Sequence, residues 1–221
     1  MDWKVLVART LANMFILGGF VILGVTYLPI VWDEAWYFIR TQKKQAVVLT
    51  TIPPTSTKGS IFAKYISSEP ISILPVNREF SLVIEKIGVS APVVKNVSVV
   101  SEDEYFQALD SGVAHAVGTA LPGQRGNVYI FAHSSLGFFR FSKYATVFNL
   151  LKKLENGDKV HVFYANKDYV YQVIGKELVK GWDLRPLTKT VLEPTLTLQT
   201  CDPPGTTFNR LVVTSKLISV L

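Results

Sequence analysis

The chain has 221 residues, enough for one sizeable domain plus extra segments, and its 48% apolar content with a mean hydropathy of +0.27 points to a stretch built for a membrane. The formal charge of +6 divides evenly, +3 over residues 1–80 and +3 over 81–221, so no segment reaches the basic density of a nucleic-acid stripe, and composition argues against a nucleic-acid partner. A single cysteine excludes an intrachain disulfide framework and any CxxC metal or redox motif.

Leu11 to Ile30 is a run of twenty residues without a charge. At helical rise it spans about 30 Å, the thickness of a bilayer core. Trp3 precedes the run, and Trp32 and Trp36 follow it, as interfacial aromatics do. The residues downstream are bulky and offer no small-residue cleavage site, so the segment reads as an uncleaved anchor; a signal peptide and a buried core helix are the alternatives. Lys4 and Arg9 lie before the run and Arg40, Lys43 and Lys44 after it, so basic residues alone do not orient it. The short N-terminal tail favours an inside N-terminus. This makes residues 1–40 an anchor with a juxtamembrane segment. Residues 41–79 form a linker, with Thr50–Gly59 rich in Pro, Thr and Ser and expected to be extended and solvated.

Residues 80–221 read as mainly β. SLVIEKIGV and APVVKNV are short apolar runs divided by Gly88 and Pro92. Asn96-Val97-Ser98 matches a glycosylation sequon, a match too short to carry weight. Ser101 to Glu104 predicts a capping box ahead of a short helix through Leu109. The acidic residues Glu102, Asp103, Glu104 and Asp110 would suit calcium, but helix-start carboxylates meeting the macrodipole are the simpler account, and no cofactor is indicated. After a turn-rich stretch, Gly118–Gly126, NVYIFA predicts a buried strand that ends at His133. A helix is expected from Ala145 to Leu154, with Val147, Leu150, Leu151 and Leu154 on one face. Asn156-Gly157-Asp158 closes it as a turn. KVHVFYAN and KDYVYQVIGKEL alternate as two strands joined at Asn166–Asp168. TLTLQTCDPPGTTFNRLVV is a final hairpin around Pro203-Pro204-Gly205. Many short strands with few helices predict a closed or nearly closed β-barrel.

Three reactive side chains stand at predicted strand ends: His133, Cys201 and Arg210. A strand end holds the backbone while the side chain faces the loops, where a substrate can reach it. Together they suit acyl transfer. A thiolate attacks a carbonyl, an imidazole moves the protons, and a guanidinium donates to the developing oxyanion or to the substrate backbone and favours the thiolate. Each also has a plain structural reading: a buried small hydrophobe for Cys201, an ion-pair residue for Arg210, a packed ring for His133. His115 in GVAHAVG stands between a cleft role and a structural one, and His161 in KVHVFY reads as a barrel residue. Ser134 and Ser135 lie in no GxSxG elbow, and three histidines without suitable carboxylates give no zinc motif.

TLQTC with Arg210 nine positions after the cysteine resembles the TLxTC…R signature of the sortases, cysteine transpeptidases of bacterial cell surfaces. GVAHAVGTALPGQRGNVYIFAH resembles the family stretch leading through a GTxxPG turn to its histidine, and VFNLLKKLENGDKVHVFY resembles another family segment. The resemblance implies a closed eight-stranded β-barrel behind one N-terminal transmembrane helix, with the domain outside the cell. It implies Cys201 as nucleophile, His133 as acid and base, Arg210 as catalytic arginine and Thr200 at the substrate cleft; His115 and Ser134 stand beside them as candidate substrate-binding residues. The implied reaction cleaves an LPxTG-like C-terminal sorting signal of surface proteins. The acyl chain then passes to an amine of cell-wall precursor, of a pilin or of another surface protein. Ala132-His133-Ser134 departs from the GHR of many relatives. The short Cys-to-Arg spacing and the CDPPG turn look more like classes C, D and E than class A. With no aromatic-proline lid motif upstream and no second membrane helix after Leu221, anchoring is expected ahead of pilin polymerisation. A hydrolytic cysteine peptidase and a non-enzymatic tethered binding module are the alternatives.

Overall fold

The computed structural model describes residues 3–50, 70–134, 142 and 144–221. Helix α1 (Trp3–Gln42) is followed by strands β1 (Val47–Leu49) and β2 (Ile71–Ile73), which pair in parallel. Two segments within the predicted linker, 41–79, are therefore joined by a short ladder, and the Pro/Thr/Ser-rich residues 51–59 between them lie outside the described residues.

The eight strands that follow are β3 (Phe80–Ile84), β4 (Val89–Val97), β5 (Val113–Ala116), β6 (Gly126–Phe131), β7 (Lys159–Tyr164), β8 (Lys167–Lys180), β9 (Pro194–Asp202) and β10 (Asn209–Val220). They close into a barrel in the order β10-β8-β7-β3-β4-β5-β6-β9. Closure satisfies every strand edge, which an open sheet of this size would leave exposed. Two of the ladders, β4–β5 and β6–β9, are parallel and need crossovers. Helix α2 (Glu102–Ser111) makes the first, and the segment containing residues 144–193 lies within the second.

The alternation of apolar residues fills the interior. Leu82 and Ile84 on β3, Val128 and Ile130 on β6, Val160 and Val162 on β7, and Leu196 and Leu198 on β9 have no exposed surface. Each such side chain contributes roughly 2 kcal/mol of burial. The β7–β8 hairpin turns at Ala165 and Asn166, both at positive φ (49° and 66°), the backbone that a two-residue primed turn needs.

Two expected local motifs take other forms. Ser101 caps no backbone N–H of α2 with its side chain. The chain turns tightly just before the helix, and Ser98 Oγ accepts from the N–H groups of Val100 and Ser101 at 3.2 Å each. The Glu104 carboxylate therefore reaches past Ser101 to the N–H of Ser98 at 2.9 Å. The predicted helix over Ala145–Leu154 is a run of turns ending in a 3₁₀ helix, Asn149–Lys153. Phe148, Leu151 and Leu154 are the fully buried residues, one every three positions. That is the eclipsed column of a 3₁₀ helix, and the apolar run satisfies it as readily as the α spacing.

Helix α1 does not end with its apolar run. It continues to Gln42 and docks on the barrel. Asn149 Nδ2 donates to the carbonyl of Ile30 at 3.3 Å. Glu34 pairs with Lys152 and Lys153 at 2.6 and 3.0 Å. Arg40 is buried and donates to the carbonyl of Lys86 at 2.6 Å. The partly exposed Glu34 pairs add little, about 0–1 kcal/mol each. The buried Arg40 contact is the stronger tie, because breaking it strands a charge.

Gly112 leads from α2 into β5, and a Cβ there would stand 2.3 Å from the backbone oxygen of Pro92. Backbone on both sides cannot give way cheaply. Gly112→Ala is expected to cost about 1–3 kcal/mol and to lower the thermal midpoint of the full chain in detergent by roughly 2–10 °C. An unchanged midpoint by circular dichroism would show that the β4–β5 crossover is looser than its contacts indicate.

Candidate active site

Strand β9 collects the three candidate residues. It pairs antiparallel with β10 so that Cys201 lies directly opposite Arg210. The hairpin register thus does what nine residues of separation alone would not, and Arg210 Nη1 donates to Cys201 Sγ at 3.1 Å. On its other side β9 runs parallel to β6, with Phe131 opposite Gln199. The ladder continues as Ala132 N–H donates to Gln199 O at 3.1 Å. His133 follows immediately, so it leaves β6 at the level of Cys201, near the end of β9.

His133, Cys201 and Arg210 line one cleft of about 640 Å³. Tyr105 and Phe106 of α2 line it too and hold the imidazole: the Tyr105 ring stands edge-on to His133 and the Phe106 ring stacks against it, each with centroids 6.0 Å apart. Tyr105 itself stacks on Phe131 at 5.2 Å. Burial pushes the Tyr105 hydroxyl up to about 12, with the charge of Cys201 adding and that of Arg210 opposing, so it stays protonated beside the thiol.

The thiol's own balance differs from the expectation that the neighbouring cation would favour thiolate. Burial raises the Cys201 pKa above the ordinary thiol value, and the Arg210 charge offsets only part of that. The resting group is a neutral thiol, which needs a base before it can attack.

Among the expected substrate residues, only Ser134 lines the cleft. It is buried, and its hydroxyl has no partner among the described residues. Thr200 turns inward, and its Oγ1 donates to the carbonyl of Ala132 at 3.0 Å. It ties the residue before His133 to the residue before Cys201 and is not a cleft wall. His115 is fully buried. Its Nε2 lies 3.0 Å from both the Ala120 carbonyl and the Thr119 hydroxyl, and its Nδ1 accepts from the N–H of Asn96 at 3.3 Å. Burial lowers its pKa, so this ring is a neutral brace for the turn after β5. His161 is a barrel residue as expected, paired with Asp168 at 2.9 Å. Ser135 lies outside the described residues.

Sequence reasoning missed three contributors. Tyr105 and Phe106 sit in an otherwise acidic short helix, and nothing local marks them as neighbours of His133. Gly181, just past β8, donates its N–H to the carbonyl of Phe208 at 2.8 Å, and a Cβ there would fall 2.0 Å from the oxygen of Thr207. Arg210 Nη1 lies 3.5 Å from that same oxygen. An isolated glycine at a strand end signals close backbone approach, and this one fixes the loop before Arg210. The third is Thr26, Tyr27 and Ile30 of α1, which also line the cleft.

A thiol, a base and a fixed guanidinium in one cleft suit the transfer of an acyl group from one nitrogen to another acceptor. The model of the sortase domain matches residues 82–218, and the chain belongs to the sortase family of cysteine transpeptidases. Sortase C1 of Streptococcus suis is 25% identical, with a TM-score of 0.53 over 64% of this chain and 74% of that one. The sortase D5 transpeptidase of Clostridium perfringens is 25% identical, with a TM-score of 0.52 over 65% and 80%. Sortase C of Clostridium perfringens, solved with the C-terminal cell wall sorting motif, is 25% identical, with a TM-score of 0.50 over 63% and 69%. Comparison with curated protein sequences gives no match.

The raised thiol has a direct readout. The rate of Cys201 alkylation by iodoacetamide should rise with pH along a curve centred above the ordinary thiol value of about 8.5. Arg210→Ala removes the one contribution that lowers it, so the curve should move further up; a downward move would show that the guanidinium does not face the sulfur.

Proposed function

We propose that this sortase is a membrane-anchored transpeptidase that cleaves an LPxTG-like C-terminal sorting signal. Its acyl-enzyme is a thioester on Cys201. The observation that carries the reading is the 3.1 Å contact between Arg210 and Cys201 in a cleft that also holds His133. The Clostridium perfringens sortase C solved with its sorting motif supports the substrate class.

In this reading the neutral thiol of Cys201 gives its proton to His133, and the sulfur attacks the threonine carbonyl of the signal. Arg210 donates to the oxyanion as it forms. The tetrahedral intermediate collapses, the Thr–Gly C–N bond breaks, and the imidazolium protonates the leaving glycine amine. An amine of cell-wall precursor or another surface protein then attacks the thioester and loses a proton to His133. A new amide forms, the C–S bond breaks, and the proton returns to the sulfur. Ser134, buried in the cleft wall with a hydroxyl that has no partner among the described residues, binds the substrate backbone. Helix α1 is long and apolar enough to cross a membrane, and we place its N-terminus inside the cell and the barrel outside.

Full-length protein incubated with an LPxTG peptide and an amine acceptor should yield the amide product. Intact mass should show an acyl adduct on Cys201 when the acceptor is withheld. Cys201→Ala should abolish the adduct, and Arg210→Lys should lower kcat/KM by about a hundredfold or more, because a point charge cannot replace the planar fork. Turnover by Cys201→Ala would overturn the mechanism, and free acid without amide at high acceptor would make the protein a hydrolase.

A further inference from the structure

The apolar run of α1 does more than reach the barrel. Its last turn, Thr26, Tyr27 and Ile30, lines the same cleft as Cys201 and Arg210. These positions are spaced i, i+1 and i+4, one face of a helix. The Tyr27 ring and Ile30 give this face most of its surface, and the Thr26 hydroxyl is already engaged, donating to the carbonyl of Ile22 at 2.8 Å. Val99 and Val100, from the loop before α2, line the cleft as well, and Val100 is 90% exposed. Among the described residues, Tyr27, Ile30, Val99 and Val100 give this side of the cleft its apolar surface, while His133, Cys201 and Arg210 line the reactive part.

The wall is held in place. Asn149 binds the Ile30 carbonyl within the wall itself, and Glu34 and Arg40 fasten the next turns of the same helix. A helix serving only as a tether needs none of these contacts. Between Thr26 and Ile30 the helix rises about 6 Å, and this is where the apolar run ends. If the run crosses the bilayer, as proposed above, this side of the cleft lies at the level of the membrane surface.

We infer that the last apolar turn of α1 is one wall of the substrate site, and that it takes an apolar side chain of a polypeptide where that polypeptide leaves the bilayer. Tyr27 is the specificity-determining residue of this wall. The anchor and the catalytic cleft form one recognition surface, which a barrel freed of its helix would lack. This inference rests on the transpeptidase reading for the identity of the occupant, but the placement of the wall does not.

The test uses the full chain in lipid nanodiscs with its one cysteine labelled by bimane, a fluorophore that tryptophan quenches on contact. Tyr27→Trp should quench the label on Cys201, and Leu23→Trp, one turn deeper in the apolar run, should not. Equal quenching by both, or by neither, overturns the wall. In unlabelled protein, Tyr27→Ala should raise KM for a sorting peptide about fivefold or more, with kcat and the iodoacetamide rate of Cys201 unchanged. Tyr27→Phe should restore KM. An unchanged KM for Tyr27→Ala overturns the specificity role. Quenching without any turnover by the unlabelled wild-type chain would sink the transpeptidase reading and keep the wall.

Discussion

Strand β9 carries ladders to both of its neighbours, and the registers of those two ladders decide where the reactive groups meet. Against β10 the pairing is antiparallel and sets Cys201 across from Arg210; against β6 it is parallel and delivers His133 just beyond the last bonded residue. A one-residue slip in either ladder would turn one partner to the other face of the sheet. The barrel interior prevents that slip, because Leu196 and Leu198 would have to leave the core. Thr200 adds a lateral bond to Ala132 just beyond the end of the β6–β9 ladder. The apolar core and the reactive cleft are thus consequences of the same alternation along one strand.

Much of this was legible in the chain. The hairpin, the strand before His133 and the turn at Asn166 follow from period-two apolar patterns and turn residues, and these signals are local. The closed barrel was legible as a class because many short strands leave few ways to cover their edges. The role of Thr200 was not, because its side chain answers to a carbonyl sixty-eight positions away. His115 was ambiguous for the same reason: burial and its three partners depend on a turn and a bulge that no spacing rule encodes. The 3₁₀ segment was misread because an apolar run that satisfies a period of 3.6 also satisfies a period of three. Tyr105 and Phe106 gave no signal, since their helix faces His133 only once the crossover between β4 and β5 is made.

The docking of α1 changes the physical picture of the domain. A hydrophobic segment and a solvated barrel ask for different surroundings, and a long free linker is the usual way to separate them. Here the helix passes from its apolar run into a polar contact with the barrel inside one turn, from Ile30 to Glu34. The short β1–β2 ladder then meets the barrel at the turn after β3, where the Leu49 N–H donates to the Glu85 carboxylate and the Ser90 hydroxyl donates to the Leu74 carbonyl. Rotation of the barrel relative to the helix would break the Asn149, Glu34 and Arg40 contacts together, so the orientation of the cleft is set by the fold.

The neutral state of the single cysteine has a consequence for the protein's lifetime. Oxidants react with thiolates far faster than with thiols, and a second thiol can rescue a sulfenic acid by condensing with it to a reducible disulfide. This chain has no second cysteine, so a sulfenic acid on Cys201 has no resolving thiol within the molecule. Burial, which disfavours the thiolate, also slows the reaction of the only sulfhydryl the molecule owns with oxidants.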